Sequence, residues 1–202
     1  SARLQLEFER SDGCLVLLRT ERDLKLAQPG LQLLRDLGVK VQQLDAAQAR
    51  KLEPALHEGT PLCAALVSPD DGVGNCRQFA WLLRDEARQR GVAFRFGAAV
   101  RGLDRGSGTG WTLRLDRDMA EAFDAVVVCA GAASAALLRP LGLHTRMVAM
   151  HGHSVSAHIR QPLDTPRSGV IDQQLGVAIV RQGQRVRIAG GTELGGQPDR
   201  KS

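Results

Sequence analysis

A chain of 202 residues with 43% hydrophobic residues and a formal charge of +5 can bury a core and carries too little net charge to stay unfolded. The longest apolar stretch, 125–138, is broken by Gly131 and Ser134 and falls short of the roughly 20 residues a membrane-spanning helix needs. The basic balance does not read as a nucleic-acid surface, because arginines alternate with acids, as in Arg84-Asp85-Glu86, and no basic run is flanked by stacking aromatics.

In chain order, residues 4–9 and 14–18 read as strands joined by a turn at Ser11-Asp12-Gly13. Thr20 with Asp23 marks a helix start, and Leu24, Ala27, Leu31, Leu34 and Leu37 then recur at helical spacing until Gly38. Pro29-Gly30 falls inside that pattern and predicts a kink or a split. A short strand over 39–44 is followed by a helix capped by Asp45 and ending at Glu53-Pro54. Residues 62–67 read as a strand and 68–75 as a loop rich in turn residues. Asn75 caps a further helix with Phe79, Leu82, Leu83 and Ala87 on one face and Gly91 just past its end. Strands are expected over 92–96, 100–103, 111–115 and 125–129, with a short helix over 134–138. Beyond Pro140 the pattern is strand-like over 146–156 and 170–172, then a hairpin of 175–181 and 185–190 around Gln182-Gly183-Gln184. The sum is an α+β chain with mostly antiparallel strands.

Cys14, Cys63, Cys76 and Cys129 contain no C-x-x-C pair, which excludes common zinc spacings and a small disulfide framework and points to a reducing compartment. Gly106, Gly108 and Gly110 precede a strand rather than a helix, so they form a hairpin loop and not a phosphate cradle. Gly72-Val73-Gly74-Asn75-Cys76-Arg77 does precede a helix, but Arg77 stands where a dinucleotide fingerprint needs its third glycine. His144, His151, His153 and His158 lack an acidic or thiol ligand at a recognisable interval, so they read as pocket-lining residues and no metal is assigned. No G-x-S-x-G elbow supports a hydrolase. The segment 125–134 ends in small residues, which suits either a buried strand with a tight turn or a close approach of backbone to a ligand.

Six segments, in order, resemble the FAD-dependent D-amino-acid oxidoreductases, nearest their bacterial dehydrogenase branch of the small-subunit type. Residues 12–21 are similar to the family's Gly-x-Leu-x-Leu-x-Arg-Thr entry, and 44–56 to its Glu-Pro-Ala-Leu segment. Residues 69–79 resemble the Pro-x-Asp-x-x-Gly-Asp-Cys-x-x-Phe helix entry, and 92–100 the strand after it. Residues 126–131 look like the strand that ends beside the flavin dinucleotide, and 185–193 like the strand that closes the substrate-side hairpin. The resemblance implies an FAD enzyme that oxidatively deaminates D-amino acids to 2-oxo acids and ammonia and passes electrons to a quinone-type acceptor. It implies cofactor contacts at Val100, Ala130 and Gly131, and a substrate pocket that includes His151, His153 and Arg181; it assigns no catalytic residue.

The same resemblance divides the chain into a first part of a substrate-binding domain (1–67), a middle portion of an FAD-binding domain (68–138) and a second part of the substrate-binding domain (139–202). The family's N-terminal G-x-G-x-x-G and C-terminal segment have no counterpart here. With Ser1 first and a polar tail over 198–202, the sequence reads as an internal fragment, inactive alone and weak in FAD binding. Placement is expected in the cytoplasm, with peripheral contact to the inner membrane compatible for the parent protein. A glycine- or sarcosine-oxidase-like amine oxidase is the neighbouring alternative, and a non-catalytic anion or nucleic-acid binding module the alternative of another class.

Overall fold

The computed structural model describes residues 4, 6–106, 108–116 and 119–194. Gln5 of the first expected strand, Ser107 of the glycine loop and the polar tail 198–202 lie outside the described residues. Two compact units emerge, one from the described residues of Ser1–Arg90 and Gly152–Thr192, the other from those of Gly91–His151 and Glu193–Ser202.

The first unit is organised by a sheet in the order β2-β3-β1-β8-β9-β10-β7. Its strands are β1 (Arg10–Leu18), β2 (Gln42–Asp45), β3 (Ala64–Gly74), β7 (Met150–His158), β8 (Gly169–Asp172), β9 (Val177–Gln182) and β10 (Arg185–Leu194). β1 pairs antiparallel with β3 and parallel with β8, while β2–β3, β8–β9 and β9–β10 are antiparallel. The strand expected over 4–9 is not formed in its described part; pairing begins at Arg10.

Two turn-like segments turn out to be strand. Ser11-Asp12-Gly13 lies inside β1 and most of 68–75 inside β3, paired as Arg10 with Gly74, Ser11 with Val73 and Asp12 with Gly72. Each segment has poor strand propensity, yet each supplies the other with a backbone ladder, and long-range pairing overrides local preference. The register shifts between Asp12 and Cys14, where Gly13 takes φ +86°, a conformation that costs glycine little.

Helix α1 (Glu21–Asp36) starts on a full capping box, Thr20 accepting from the Asp23 amide and Asp23 accepting from the Thr20 amide. It runs through Pro29 without being split, so of the expected kink or split the second does not occur. Proline removes one backbone donor, and the cap and the burial of Leu31 hold the turns on either side. Helix α2 (Ala46–Leu52) has a second capping box, Asp45 with Gln48. Helix α3 (Cys76–Gln89) is capped by Asn75, whose amide also donates to Glu9 at 2.9 Å, and Gly91 follows it at φ +86°.

Strand alternation sends Leu15 and Leu17 to one face, where they meet Ala49, Ala65 and Val170, with Leu44, Leu56, Leu62 and Val67 packed around them. Burying each such leucine stabilises the fold by about 1.5–3 kcal/mol. Two buried carboxylates tie this core to the segment entering and leaving β8. Glu53 accepts from the Arg167 amide at 2.8 Å. Asp172, 5% exposed, receives Arg19 Nε at 2.8 Å and Nη2 at 2.6 Å, and also the amides of Gln174 and Leu175.

The second unit contains an antiparallel meander of β4 (Val100–Arg105), β5 (Trp111–Leu115) and β6 (Ala120–Phe123). A 3-10 turn, Gly131–Ala133, leads into the short helix α4 (Ser134–Leu138). Segments 92–96 and 125–129, expected as strands, take no place in a described sheet. Their apolar β-branched composition marks strand propensity, but a strand exists only with a partner. The strand expected over 146–156 begins at Met150 and runs to His158. No described helix is long and apolar enough to cross a membrane.

Candidate functional site

The second unit holds a cavity of about 530 Å³ between the meander, the segment 126–130 and the α4 turn. Cross-strand register builds one wall: Val100 lies opposite Leu115, and Leu103 opposite Leu113. Val100, Leu103 and Leu113 face the cavity together with Val126, Val127, Val128, Cys129 and Ala130. Ala133, Ala136 and Leu137 close the third side, their spacing placing them on one helical face. Arg101 sits at the lining, ion-paired with Asp116 at 2.6 Å.

Val100 and Ala130, separated by 30 positions in sequence, are therefore brought onto one cavity. Gly131 follows directly and opens the 3-10 turn at φ +55°, with nothing within 4 Å of where a Cβ would stand. The reading from sequence missed Arg101, Leu103, Leu113 and the alanine face of α4. Alternation in the two strands and the i, i+3 spacing of Ala133 and Ala136 carry that information, but only the meander register puts them opposite one another.

The residues expected on the substrate side are placed differently. His151 and His153 lie on β7, where a spacing of two directs both to one face. His151 Nε2 is buried without a hydrogen-bond partner among the described residues, and His153 is exposed. Arg181, half-buried on β9, donates from Nε to the Gly183 carbonyl at 3.3 Å. Neither histidine nor Arg181 is part of the cavity lining.

Two thiols are held in their neutral form. Burial, followed by the nearby Asp71 charge, pushes the Cys14 thiol up; at Cys63 the hydrogen bond to Glu21 does so first, with Sγ donating to Oε1 at 3.1 Å. Neither is poised as a nucleophile, which requires thiolate. Among the described residues no three of His, Cys, Asp or Glu converge as a metal site.

Comparison with known proteins agrees with this architecture. The FAD dependent oxidoreductase family (DAO) matches residues 1–202. A D-amino acid dehydrogenase of Phenylobacterium zucineum is 37% identical over 189 residues, covering 93% of this chain and 44% of the relative. Another, from Rhizobium johnstonii, is 33% identical over 93% of this chain and 45% of its own length. The chain thus spans less than half the length of these curated relatives. Among solved structures, glycine oxidase from Geobacillus kaustophilus superposes with a TM-score of 0.85 at 24% identity, over 100% of this chain and 54% of that one. L-proline dehydrogenase from P. horikoshii gives 0.83 at 17% identity, over 98% and 53%. These structural likenesses establish the α+β fold, and the family match over the whole sequence establishes descent: the chain belongs to the DAO family of FAD-dependent oxidoreductases.

Proposed function

We propose that the chain is part of a D-amino-acid dehydrogenase, which converts D-amino acids to 2-oxo acids and ammonia and delivers electrons to a quinone-type acceptor. The observation that carries this reading is the convergence of Val100 and Ala130, with Gly131 beside them, on an apolar cavity in a chain of this family. The relatives named D-amino acid dehydrogenase, at 33–37% identity, direct the choice of reaction.

The residues present fit a flavin dinucleotide on the evidence of the cavity itself. Aliphatic walls from Val100, Leu103 and Leu113 suit a flat heterocycle, and Ala130, Ala133 and the open space over Gly131 allow backbone to approach it closely. Val100, Ala130 and Gly131 are the residues that would hold the group. When bound, FAD supplies the hydride acceptor for the substrate Cα–H bond. The chain's own residues exclude water from that wall and fix the cofactor's position.

On the substrate side, His151, His153 and Arg181 are the candidate residues, with the Arg181 guanidinium able to attract a carboxylate. Within the chain, 1–67 and 139–202 serve the substrate side and 68–138 the flavin side. The active protein works in the cytoplasm, at the membrane face where a quinone is reached.

The test uses the protein at its native length, supplied with FAD, D- or L-alanine, and a soluble quinone analogue. Quinone reduction with the D-enantiomer and little peroxide is the expected result. Peroxide formed with glycine or sarcosine would replace the reading by an amine oxidase, and loss of any amino-acid-dependent reduction would remove it.

A further inference from the structure

We propose that the solvent face of α1 docks on the same face of a second copy of the chain, as an antiparallel helix pair about a two-fold axis. The inner face of this helix is anchored by Leu31, which is 1% exposed. On the outer side stand Leu26 at 72%, Leu33 at 59% and Leu37 at 70% exposure. With 3.6 residues per turn, positions 26, 30, 33 and 37 fall within about 40° of one line along the helix. Three leucines and Gly30 therefore make a single apolar stripe along the exposed face of the helix.

The pattern of that stripe identifies its occupant. Its intervals are four, three and four residues, so the stripe reads the same in both directions. Reversal about a dyad between positions 31 and 32 sets Leu26 beside the partner's Leu37 and Gly30 beside the partner's Leu33. Nothing lies within 4 Å of where a Cβ would stand on Gly30, so the stripe has a recess there that the opposing leucine fills. A parallel pair would instead set Gly30 against the partner's Gly30 and leave that recess empty. Isologous two-fold pairing of this kind is the commonest symmetric assembly.

Charge agrees with the antiparallel arrangement. Arg22 and Lys25 flank the stripe on one side near its start, and Asp36 flanks it on the same side near its end. A dyad normal to the plane of two antiparallel helices keeps that side in common and reverses the direction. Lys25 is then brought within a helical turn of the partner's Asp36, once on each end of the pair.

Sedimentation equilibrium of the 202-residue chain at tens of micromolar tests the proposal. A mass of two copies is expected, falling to one copy in Leu33→Asp with the far-ultraviolet circular dichroism unchanged. Lys25→Glu should raise the dissociation constant by about tenfold, and adding Asp36→Lys to it should restore the original value. A chain that stays monomeric overturns the proposal, as does a dimer that survives Leu33→Asp. Binding of a monomeric chain to anionic phospholipid vesicles through the same leucines would also overturn it, in favour of a lipid surface.

Discussion

In the unit built around β1, Leu15, Leu17, Leu18, Ala65 and Val170 are all buried, whereas among the described residues of 91–151 Leu103 is the buried apolar side chain and Val127 is 87% exposed. Both regions are comparably rich in aliphatic residues, so composition does not explain the contrast. Strand pairing does. The first unit gives β1 a partner on each side, β3 and β8, and each pairing brings a further apolar row onto the same core. In the second, 125–129 has no ladder among the described residues and its valines line a cavity instead. One region encloses its apolar side chains in a core, and the other leaves them lining an open cavity.

The largest effect expected from this difference is a paired truncation. Leu15→Ala should lower the stability of the first unit by about 3–5 kcal/mol, because the removed atoms leave a void among Leu17, Ala65 and Val170. Val127→Ala should change the stability of the second unit by less than about 0.5 kcal/mol, since an exposed side chain has little transfer energy to lose. Urea denaturation of both variants checks the pair, and similar midpoints would break the comparison.

The buried charge pair should come next. Burial pushes the Asp172 carboxyl up, but the hydrogen bonds from Arg19 and from the Leu175 and Gln174 amides, with the Arg19 charge, outweigh it and hold the group below the usual carboxylate value. Arg19→Met leaves that carboxylate buried and poorly matched, at about 3 kcal/mol. A lowered folded-state pKa means stability that is fully present above the ordinary carboxylate range and is lost as pH falls through the folded value. Urea midpoints should therefore drop between pH 6 and pH 3 in the natural chain and drop less in Asp172→Asn. Equal slopes would show that Asp172 titrates no differently on folding.

Much of the fold could be read before its structure because its signals are local. Asn75 and Gly91 bracket α3, Asp45 opens α2, and the alternation of 111–115 gives β5 its full extent. What escaped was set by distant partners. Ser11-Asp12-Gly13 and the residues before Asn75 carry turn chemistry, and nothing within either reveals that they pair with each other across some sixty positions. The strands expected at 92–96 and 125–129 failed for the converse reason, as strong local propensity without a described neighbour. For the site, Val100, Ala130 and Gly131 came from family resemblance. The cavity that Val100 and Ala130 share, with Gly131 next in the chain, has one wall built by the β4–β5 register, which no single segment encodes.

A smaller effect probes the cavity side. Gly131 at φ +55° should resist substitution even though there is space for a side chain, because the left-handed region costs an L residue about 1–2 kcal/mol. Gly131→Ala should thus lower the melting temperature of the second unit modestly. With FAD supplied, it should weaken flavin binding, read by fluorescence titration, while the first unit keeps its urea midpoint. An unchanged flavin affinity would separate this turn from the cofactor.

The smallest expected effect concerns how helices begin. Thr20 and Asp23 satisfy each other's backbone donors at 3.2 and 2.9 Å, so Thr20→Ala leaves the Asp23 amide without its cap and should cost about 1 kcal/mol. The loss should appear as faster amide exchange at Asp23 and Leu24, with the sheet unaffected. Ala133→Thr, ahead of α4, should bring no matching gain. Ala133 is already helical, at φ −71° and ψ −15°, and continues the preceding 3-10 turn, whereas a capping side chain needs extended backbone to reach the amides beyond it. If the threonine at 133 did stabilise α4, the cavity-side turn would have to adopt extended backbone there, and the cavity wall formed by Ala130, Ala133 and Ala136 would open.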